Sequence, residues 1–172
     1  MGTSACQIHK HLCLAQVPGI KPEPTREINF DNELIIDTGV TFSSIRNKSL
    51  LAGVYDMDNH IQMCTNTGER TITKRGVLLG MKNDPWLDEE LMVNILSFCE
   101  LTEQYRITYD SNKADCFYCH TETRIVEFQR TKQGLYSVPI PDGYKEEVMK
   151  KNSEGTKKCL IHMVAENRKN IQ

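Results

Sequence analysis

One short motif, Asp37-Thr38-Gly39, carries residue types that could hydrolyse a peptide bond. Hydrolysis by water needs a base that activates the water and an acid that protonates the amide nitrogen, and two carboxyl groups sharing one proton supply both. Asp37 is the candidate catalytic carboxyl. Thr38 could hold the active-site loop through its hydroxyl, and Gly39 would permit a close backbone approach where two such loops meet. The triplet alone is also a good turn sequence, so its surroundings decide its meaning.

The segments around the motif could position it for this chemistry. The apolar run Leu34-Ile35-Ile36 directly precedes it and predicts a buried strand that ends at the bottom of a cleft. About thirty residues further on, the stretch Thr65-Asn66-Thr67-Gly68-Glu69-Arg70 lies between strand-like segments and predicts a hairpin. Its tip, Asn66-Thr67-Gly68, is the expected substrate-binding flap, which closes over an extended peptide and excludes water.

Short strand-like runs separated by turn residues predict a mostly β domain over residues 30–140. Besides the run before Asp37, the predicted strands are His60–Cys64, Thr71–Leu79, Tyr105–Tyr109, Cys116–His120, Arg124–Gln129 and Leu135–Val138. The stretch 88–98 begins with three acidic residues and continues with apolar ones. It fits either a short helix or a buried strand.

The two ends of the chain differ from this β-rich centre. Residues 1–29 contain closely spaced prolines and are predicted to be a disordered tail or linker. Residues 141–172 are polar and helix-favouring, and they predict a helical extension. Its two helical runs, Tyr144–Lys151 and Lys158–Arg168, are separated by an expected break at 152–155.

Composition excludes several classes of function. The chain has 172 residues, a net charge of -2 and a pI near 6.2, so it lacks the basic excess of a nucleic-acid-binding protein. No apolar run approaches the ~20 residues that cross a bilayer, and the first residues lack the order of a signal peptide. We therefore expect a cytoplasmic or nuclear protein without membrane or nucleic-acid partners. Seven irregularly spaced cysteines do not predict structural disulfides.

Two cysteine and histidine groups offer alternative chemistry. The sequence Cys116-Phe117-Tyr118-Cys119-His120 matches the pattern for covalent haem attachment, but it lies in a predicted strand and follows no export signal. The group Cys6, His9, His11 and Cys13 could ligate zinc, although its spacing is tighter than in standard sites. We expect neither group to hold a metal or a haem.

A series of segments, in order along the chain, resembles the retropepsin-like aspartic protease domain of copia-type retrotransposon gag-pol polyproteins. The resembling segments are Glu33–Thr41, Cys64–Gly68, Leu91–Phe98, Tyr105–Asp110 and Gly134–Tyr136, followed by Met163–Lys169, which is similar to the run-up to the pre-integrase region. Two residues depart from the family pattern. Val40 stands where the family usually has alanine, and Ser97 stands where many retroviral relatives have glycine.

The resemblance implies a small retropepsin-like closed β domain with a short helix, a β-rich extension and a helical C-terminal tail. It implies an aspartic endopeptidase without a cofactor, whose substrate is an extended polypeptide of its own polyprotein. Because the chain has one Asp-Thr-Gly, a site with two aspartates requires a homodimer. The alternative is an inactive or repurposed retroelement fragment that keeps the β fold as a binding module.

Overall fold

The computed structural model describes residues 26–65 and 68–155 of the chain. Within these ranges the fold is mostly β, as predicted. The strands are β1 (Glu33–Asp37), β2 (Ser44–Ile45), β3 (Leu51–Thr65), β4 (Gly68–Leu78), β5 (Trp86–Leu87), β6 (Asn94–Ser97), β7 (Arg106–Tyr109), β8 (Cys116–His120), β9 (Ile125–Arg130) and β10 (Tyr136–Pro139). The helices are a 3-10 turn (Lys48–Leu50), α1 (Phe98–Gln104) and α2 (residues 144–155).

The ten strands form one open mixed sheet in the order β3-β4-β5-β2-β6-β1-β10-β9-β8-β7. The pairs β1–β6 and β2–β5 are parallel, and the other pairs are antiparallel. The expectation of a closed β domain is therefore wrong for the described residues. Closure would need β3 to pair with β7, but β3 and β4 instead pair along their length as a two-stranded ribbon.

Strand β1 lies inside the sheet, which explains its apolar run. It pairs with β6 on one side and with β10 on the other, and Ile35 and Ile36 are buried. A strand covered on both faces is selected for apolar residues on successive positions. The core around it contains Ile36, Ile45, Leu50, Leu51, Leu78, Leu87, Leu96, Leu101, Cys119 and Phe128.

The ambiguous stretch 88–98 contains a strand that leads directly into a helix. Strand β6 pairs in parallel with Leu34–Asp37 of β1, and α1 starts at the next residue, Phe98. Ser97 is the N-cap of α1, and its hydroxyl accepts a hydrogen bond from the Glu100 amide at 3.4 Å. The three acidic residues precede β6 and do not start a helix. The apolar residues that follow them pair with β1 and therefore belong to the sheet.

Helix α2 packs on the base of the β3–β4 ribbon. The Tyr144 hydroxyl accepts a hydrogen bond from the Leu79 amide at 3.0 Å and donates one to the Leu50 carbonyl at 3.1 Å. The predicted break at 152–155 is wrong, since the helix continues through residue 155. The Asn152 side chain accepts a hydrogen bond from the Gly53 amide at 2.7 Å, so it does not compete for the backbone of its own helix.

The predicted C-terminal run Lys158–Arg168 and most of the predicted N-terminal tail lie outside the described residues. The end of that tail packs on the domain, because Arg26 donates to the Ser137 hydroxyl at 2.7 Å and to the Ser137 carbonyl at 3.0 Å. In the part of the chain that the structure describes, no helix has the length and apolar character needed to cross a bilayer.

Candidate active site

Asp37 is the last residue of β1 and lies opposite Ser97 in the parallel pair with β6. Strands on both sides fix the position of β1, as the apolar run before the motif predicts. Asp37 itself is partly exposed, and Thr38 and Gly39 are exposed where the chain leaves the sheet. The structure therefore presents this carboxyl at the end of a rigid strand.

Two hydrogen bonds hold the loop that follows Asp37. The Gly39 amide donates to Asp37 Oδ1 at 2.7 Å, and the Ser97 hydroxyl donates to the Val40 carbonyl at 2.9 Å. A β-carbon added to Gly39 would lie 3.3 Å from Asp37 Oδ1, which is a tight contact with the atom that the glycine amide binds. The second bond joins Val40 to Ser97 of β6, so the hydroxyl of Ser97 braces the loop from the neighbouring strand.

Ser43 and Glu100 connect the far end of the loop to the neighbouring elements. The buried Ser43 hydroxyl accepts a hydrogen bond from the Ser97 amide at 3.0 Å, and the Ser43 amide donates to Glu100 Oε2 at 2.9 Å. The far end of the loop is thereby joined to both β6 and α1. Sequence reasoning did not single out Glu100. The pattern Ser97-Phe98-Cys99-Glu100 could have identified it, because a serine followed three residues later by a glutamate is typical of a helix start.

The predicted hairpin is confirmed as the β3–β4 ribbon. Its last described pair is Thr65 opposite Gly68, and Gly68 has a φ of +136°, a conformation that residues with a side chain rarely adopt. Asn66 and Thr67, the rest of the predicted flap tip, lie outside the described residues. The described part of the ribbon therefore ends at the Thr65–Gly68 pair.

An ion pair between Arg70 and the buried carboxylate of Asp88 ties the ribbon to the segment after β5. Arg70 of β4 lies 2.9 Å from Asp88 Oδ2 and 2.7 Å from Glu90 Oε2. Asp88 is only 4% exposed, and its other oxygen accepts a hydrogen bond from the Glu90 amide at 3.1 Å. A carboxylate removed from water to this degree needs a cation beside it. Arg70 therefore fixes the distal part of the ribbon relative to the main sheet.

The haem-like motif lies within β8. Cys116 and Cys119 are free and buried, and burial raises the pKa of the Cys116 thiol to about 11 and also raises the pKa of Cys119. His120 Nε2 lies 2.9 Å from the Thr108 hydroxyl. Both thiols therefore face packed protein in their neutral form.

The predicted zinc group, Cys6, His9, His11 and Cys13, lies outside the described residues. Over residues 26–65 and 68–155, no three His, Cys, Asp or Glu side chains are grouped so that they could hold a metal ion.

The described loop supplies one carboxyl group, whereas a pair that shares a proton as acid and base needs two. The loop presents a single braced carboxyl group, and the sequence has no second Asp-Thr-Gly motif that could provide a partner. No family model, curated protein or solved structure matches the chain. Its function is therefore argued from the loop, the strands that hold it and the ribbon beside them.

Proposed function

We propose that the chain is an aspartic endopeptidase domain of a copia-type retrotransposon polyprotein and that two copies of it together form the active site. The observation that carries this proposal is the placement of Asp37 at the end of β1, with one carboxylate oxygen bound by the Gly39 amide. A carboxylate fixed in this way can be brought against an identical group without losing its orientation. The ordered resemblance of the surrounding segments gives the reaction class.

In the proposed mechanism a water molecule lies between the two Asp37 carboxyl groups. The pair shares one proton, because two adjacent negative charges repel each other. The ionised carboxylate takes a proton from the water, whose oxygen attacks the carbonyl carbon of the peptide bond. The protonated carboxyl then gives its proton to the amide nitrogen, and the carbon–nitrogen bond breaks. In one turnover one carboxyl group acts as the base and the other as the acid, so the proton that the pair shares ends on the opposite carboxyl.

The substrate would be an extended polypeptide, in the first instance the polyprotein that contains the domain. The β3–β4 ribbon extends from the sheet, and the middle of β3 is largely exposed at residues 55–60. An extended peptide can bind beside such a ribbon as an additional strand, with alternate side chains entering pockets. The ion pair of Arg70 with Asp88 and Glu90 would keep the ribbon at a defined height above the peptide.

The test is the variant Asp37→Asn, with Asp142→Asn as the matched control because Asp142 is exposed in the turn before α2. Mass spectrometry of a digested peptide library should find cleavage by the wild type and by the control, blocked by a pepstatin-type inhibitor. Cleavage by Asp37→Asn should fall by at least about 100-fold, because the acid and base are lost together. Circular dichroism should show that both variants remain folded.

Two results would count against the proposal. Cleavage by Asp37→Asn at the wild-type rate would show that this carboxyl is not catalytic. A folded wild-type protein that stays monomeric and has no inhibitable activity would favour the alternative, a repurposed fragment that binds other molecules without cutting them.

A further inference from the structure

A cavity of about 730 Å³ lies on the face of the sheet that points away from Asp37. Side chains alternate between the two faces along a strand, so Leu34 and Asp37 of β1 lie on opposite faces. Leu34 lines the cavity together with Val138, its partner on β10. The volume falls within the roughly 300–1,000 Å³ of typical ligand pockets. The structure therefore offers a second candidate site, separate from the Asp37 loop.

The apolar floor of this cavity is not completely covered. Leu34 and Val138 lie on adjacent strands inside the sheet, yet both residues remain partly exposed. Val126 of β9 and Ile140, which follows β10, line the same cavity and are also partly exposed. Apolar side chains in the middle of a sheet are normally buried by the layer that packs on them. The floor therefore has room for an apolar group of a ligand.

The loop between β4 and β5 forms one wall of the cavity, and the end of α1 holds this loop in place. The Gly80 carbonyl accepts hydrogen bonds from Gln104 Nε2 at 3.0 Å and from the Tyr105 hydroxyl. Gln104 Oε1 accepts a further hydrogen bond from the Lys82 amide at 2.7 Å. A wall that is fixed before the ligand arrives lowers the entropic cost of binding.

A second cavity, of about 650 Å³, adjoins the first one. The basic side chains Lys82, Arg106 and His120 line it, so it differs in character from the apolar cavity. The two cavities form one continuous cleft, which we name the amphipathic cleft, with an apolar part and a basic part. The residues that line both parts are Gly80, Met81, Tyr105, Thr121 and Thr123.

The basic part of the cleft carries an unbalanced positive charge. Over residues 26–65 and 68–155, neither Arg106 nor Lys82 forms an ion pair. The Arg106 guanidinium instead lies 3.4 Å from His120 Nε2. Among the described residues, Glu122 is the one acidic residue that lines this part. Two positive charges therefore face one negative charge even when His120 is neutral.

The charges around the apolar part are balanced. Its lining includes Arg124 and Lys151 as well as Glu127 and Glu147, and Lys151 lies 3.9 Å from Glu147 as an ion pair. The excess of positive charge is thus confined to the basic part, where a planar guanidinium can bind a carboxylate through two parallel hydrogen bonds. The cleft therefore matches a ligand that is apolar along its length and negatively charged at one end.

We propose that the amphipathic cleft binds a long-chain aliphatic carboxylate, such as a fatty acid. Its chain lies along Leu34, Val126 and Val138, and its carboxylate accepts hydrogen bonds from Arg106 beside Lys82. A single negative charge on the ligand neutralises the excess charge of the basic part. The binding does not depend on the proposed peptidase activity, because the cleft and the Asp37 side chain lie on opposite faces of the sheet.

Isothermal titration calorimetry of the full chain tests the proposal with three probes. Decanoate has both the chain and the charge, decan-1-ol has the chain alone, and acetate has the charge alone. Decanoate should bind about tenfold more tightly than decan-1-ol, as expected for hydrogen bonds to a charged group. Acetate should show no measurable binding, because it buries almost no apolar surface.

The variant Arg106→Gln separates the charged end of the ligand from its chain. It should weaken decanoate about tenfold and leave decan-1-ol within about twofold, because only the charge-assisted hydrogen bonds are lost. Lys113→Gln is the matched control, since it removes one positive charge in the turn at the other end of the β7–β8 hairpin. This control should change neither affinity.

The variant Val126→Phe tests the apolar part. The larger ring takes up space in the cavity, so it should weaken decanoate and decan-1-ol by a similar factor of about five or more. Asp37→Asn should bind decanoate as the wild type does, because its side chain lies on the other face. Circular dichroism should show that all variants remain folded.

Three results would overturn the proposal. Equal affinity of the wild type for decanoate and decan-1-ol would show that the basic part does not bind the carboxylate. An unchanged affinity of Arg106→Gln for decanoate would show the same. If the full chain binds neither probe, the cavity is covered by another part of the protein or by a second copy, and no carboxylate occupies it.

Discussion

At the scale of single residues, Glu33 at the start of β1 is a buried carboxylate held by several donors. It is 4% exposed, and it accepts hydrogen bonds from the Ser137 hydroxyl at 2.5 Å and the Asn29 amide at 3.0 Å. Arg26 forms an ion pair at 2.5 Å with Glu33 Oε2, the oxygen that also accepts from Ser137. Burial by itself would raise the pKa of Glu33, but these donors outweigh it and the pKa is lowered from 4.5.

The lowered pKa predicts a dependence of stability on pH. A carboxyl whose pKa is lower in the folded than in the unfolded state stabilises the fold above its unfolded pKa, and this contribution is lost as the pH falls through the folded pKa. The free energy of unfolding of the wild type should therefore decrease below about pH 4.5 more steeply than that of Glu33→Gln. Urea unfolding between pH 7 and pH 3 measures the difference.

Glu27→Gln is the control for this experiment, because Glu27 is 75% exposed and pairs with Lys132 only at the surface. Its unfolding curve should follow that of the wild type. Parallel pH dependences for the wild type and Glu33→Gln would contradict the assignment of the acid transition to this cluster.

At the scale of elements, Asn94 joins the strands that carry the candidate site. Its side chain is fully buried and accepts hydrogen bonds from the amides of Arg46 and Asn47 at 3.0 and 2.9 Å. It donates to the carbonyl groups of Phe30 and Glu33 at 3.1 and 3.0 Å. One side chain at the start of β6 therefore satisfies four backbone groups, two of them before and at the start of β1 and two after β2.

The variant Asn94→Ala should lower the free energy of unfolding by at least about 3 kcal/mol, because it leaves several buried backbone groups without a partner. Asn94→Asp keeps the two acceptor contacts and loses the two donor contacts, so its effect shows which half of the network matters more. Asn112→Ala in the exposed turn between β7 and β8 is the control and should be nearly neutral. Denaturant unfolding measures all three. A loss for Asn94→Ala as small as that of the control would contradict this role.

The sequence predicted elements well where local pattern and pairing agree. The predicted strands after residue 60 correspond closely to the outer part of β3 and to β4, β7, β8, β9 and β10. Residues 51–59 of β3 were missed because they include Gly53 and several Asp and Asn residues, which are rare in strands. Pairing with β4 overrides this local preference. Helix α1 has only seven residues, too few for a periodic pattern.

The candidate site could be located from the sequence but not assembled from it. The strand and turn around Asp37 follow from local residues, as the structure confirms. The bonds from Ser97 to Val40 and from Ser43 to Glu100 each join residues 57 positions apart. The sequence shows that these residues are polar. It does not show which serine of the chain lies beside the loop.

At the scale of the whole molecule, the proposed site takes one Asp37 from each of two chains, so the proposed activity requires a pair of chains. The prediction at this scale concerns mixtures of the wild type with the variant Asp37→Asn. When wild type and Asp37→Asn are mixed in equal amounts and allowed to exchange, wild-type pairs form about a quarter of all dimers. Activity per total protein should fall to about a quarter of the wild-type value. Sedimentation velocity on the same samples should show the dimer.

Mixing with Asp142→Asn is the control and should leave the activity unchanged, because every pair then has two intact aspartates. A value of about one half for the mixture with Asp37→Asn would mean that each chain acts alone, which would contradict the shared site.

The antiparallel pairing of β1 with β10 also determines where the chain enters and leaves the sheet. Glu33 lies opposite Pro139, so the polypeptide that leads into the first strand and the polypeptide that follows the last strand lie side by side. Asp37 lies at the other end of β1, about 13 Å away at 3.3 Å per residue. The points where the chain enters and leaves the sheet are thus kept at a distance from the end of β1 that carries Asp37.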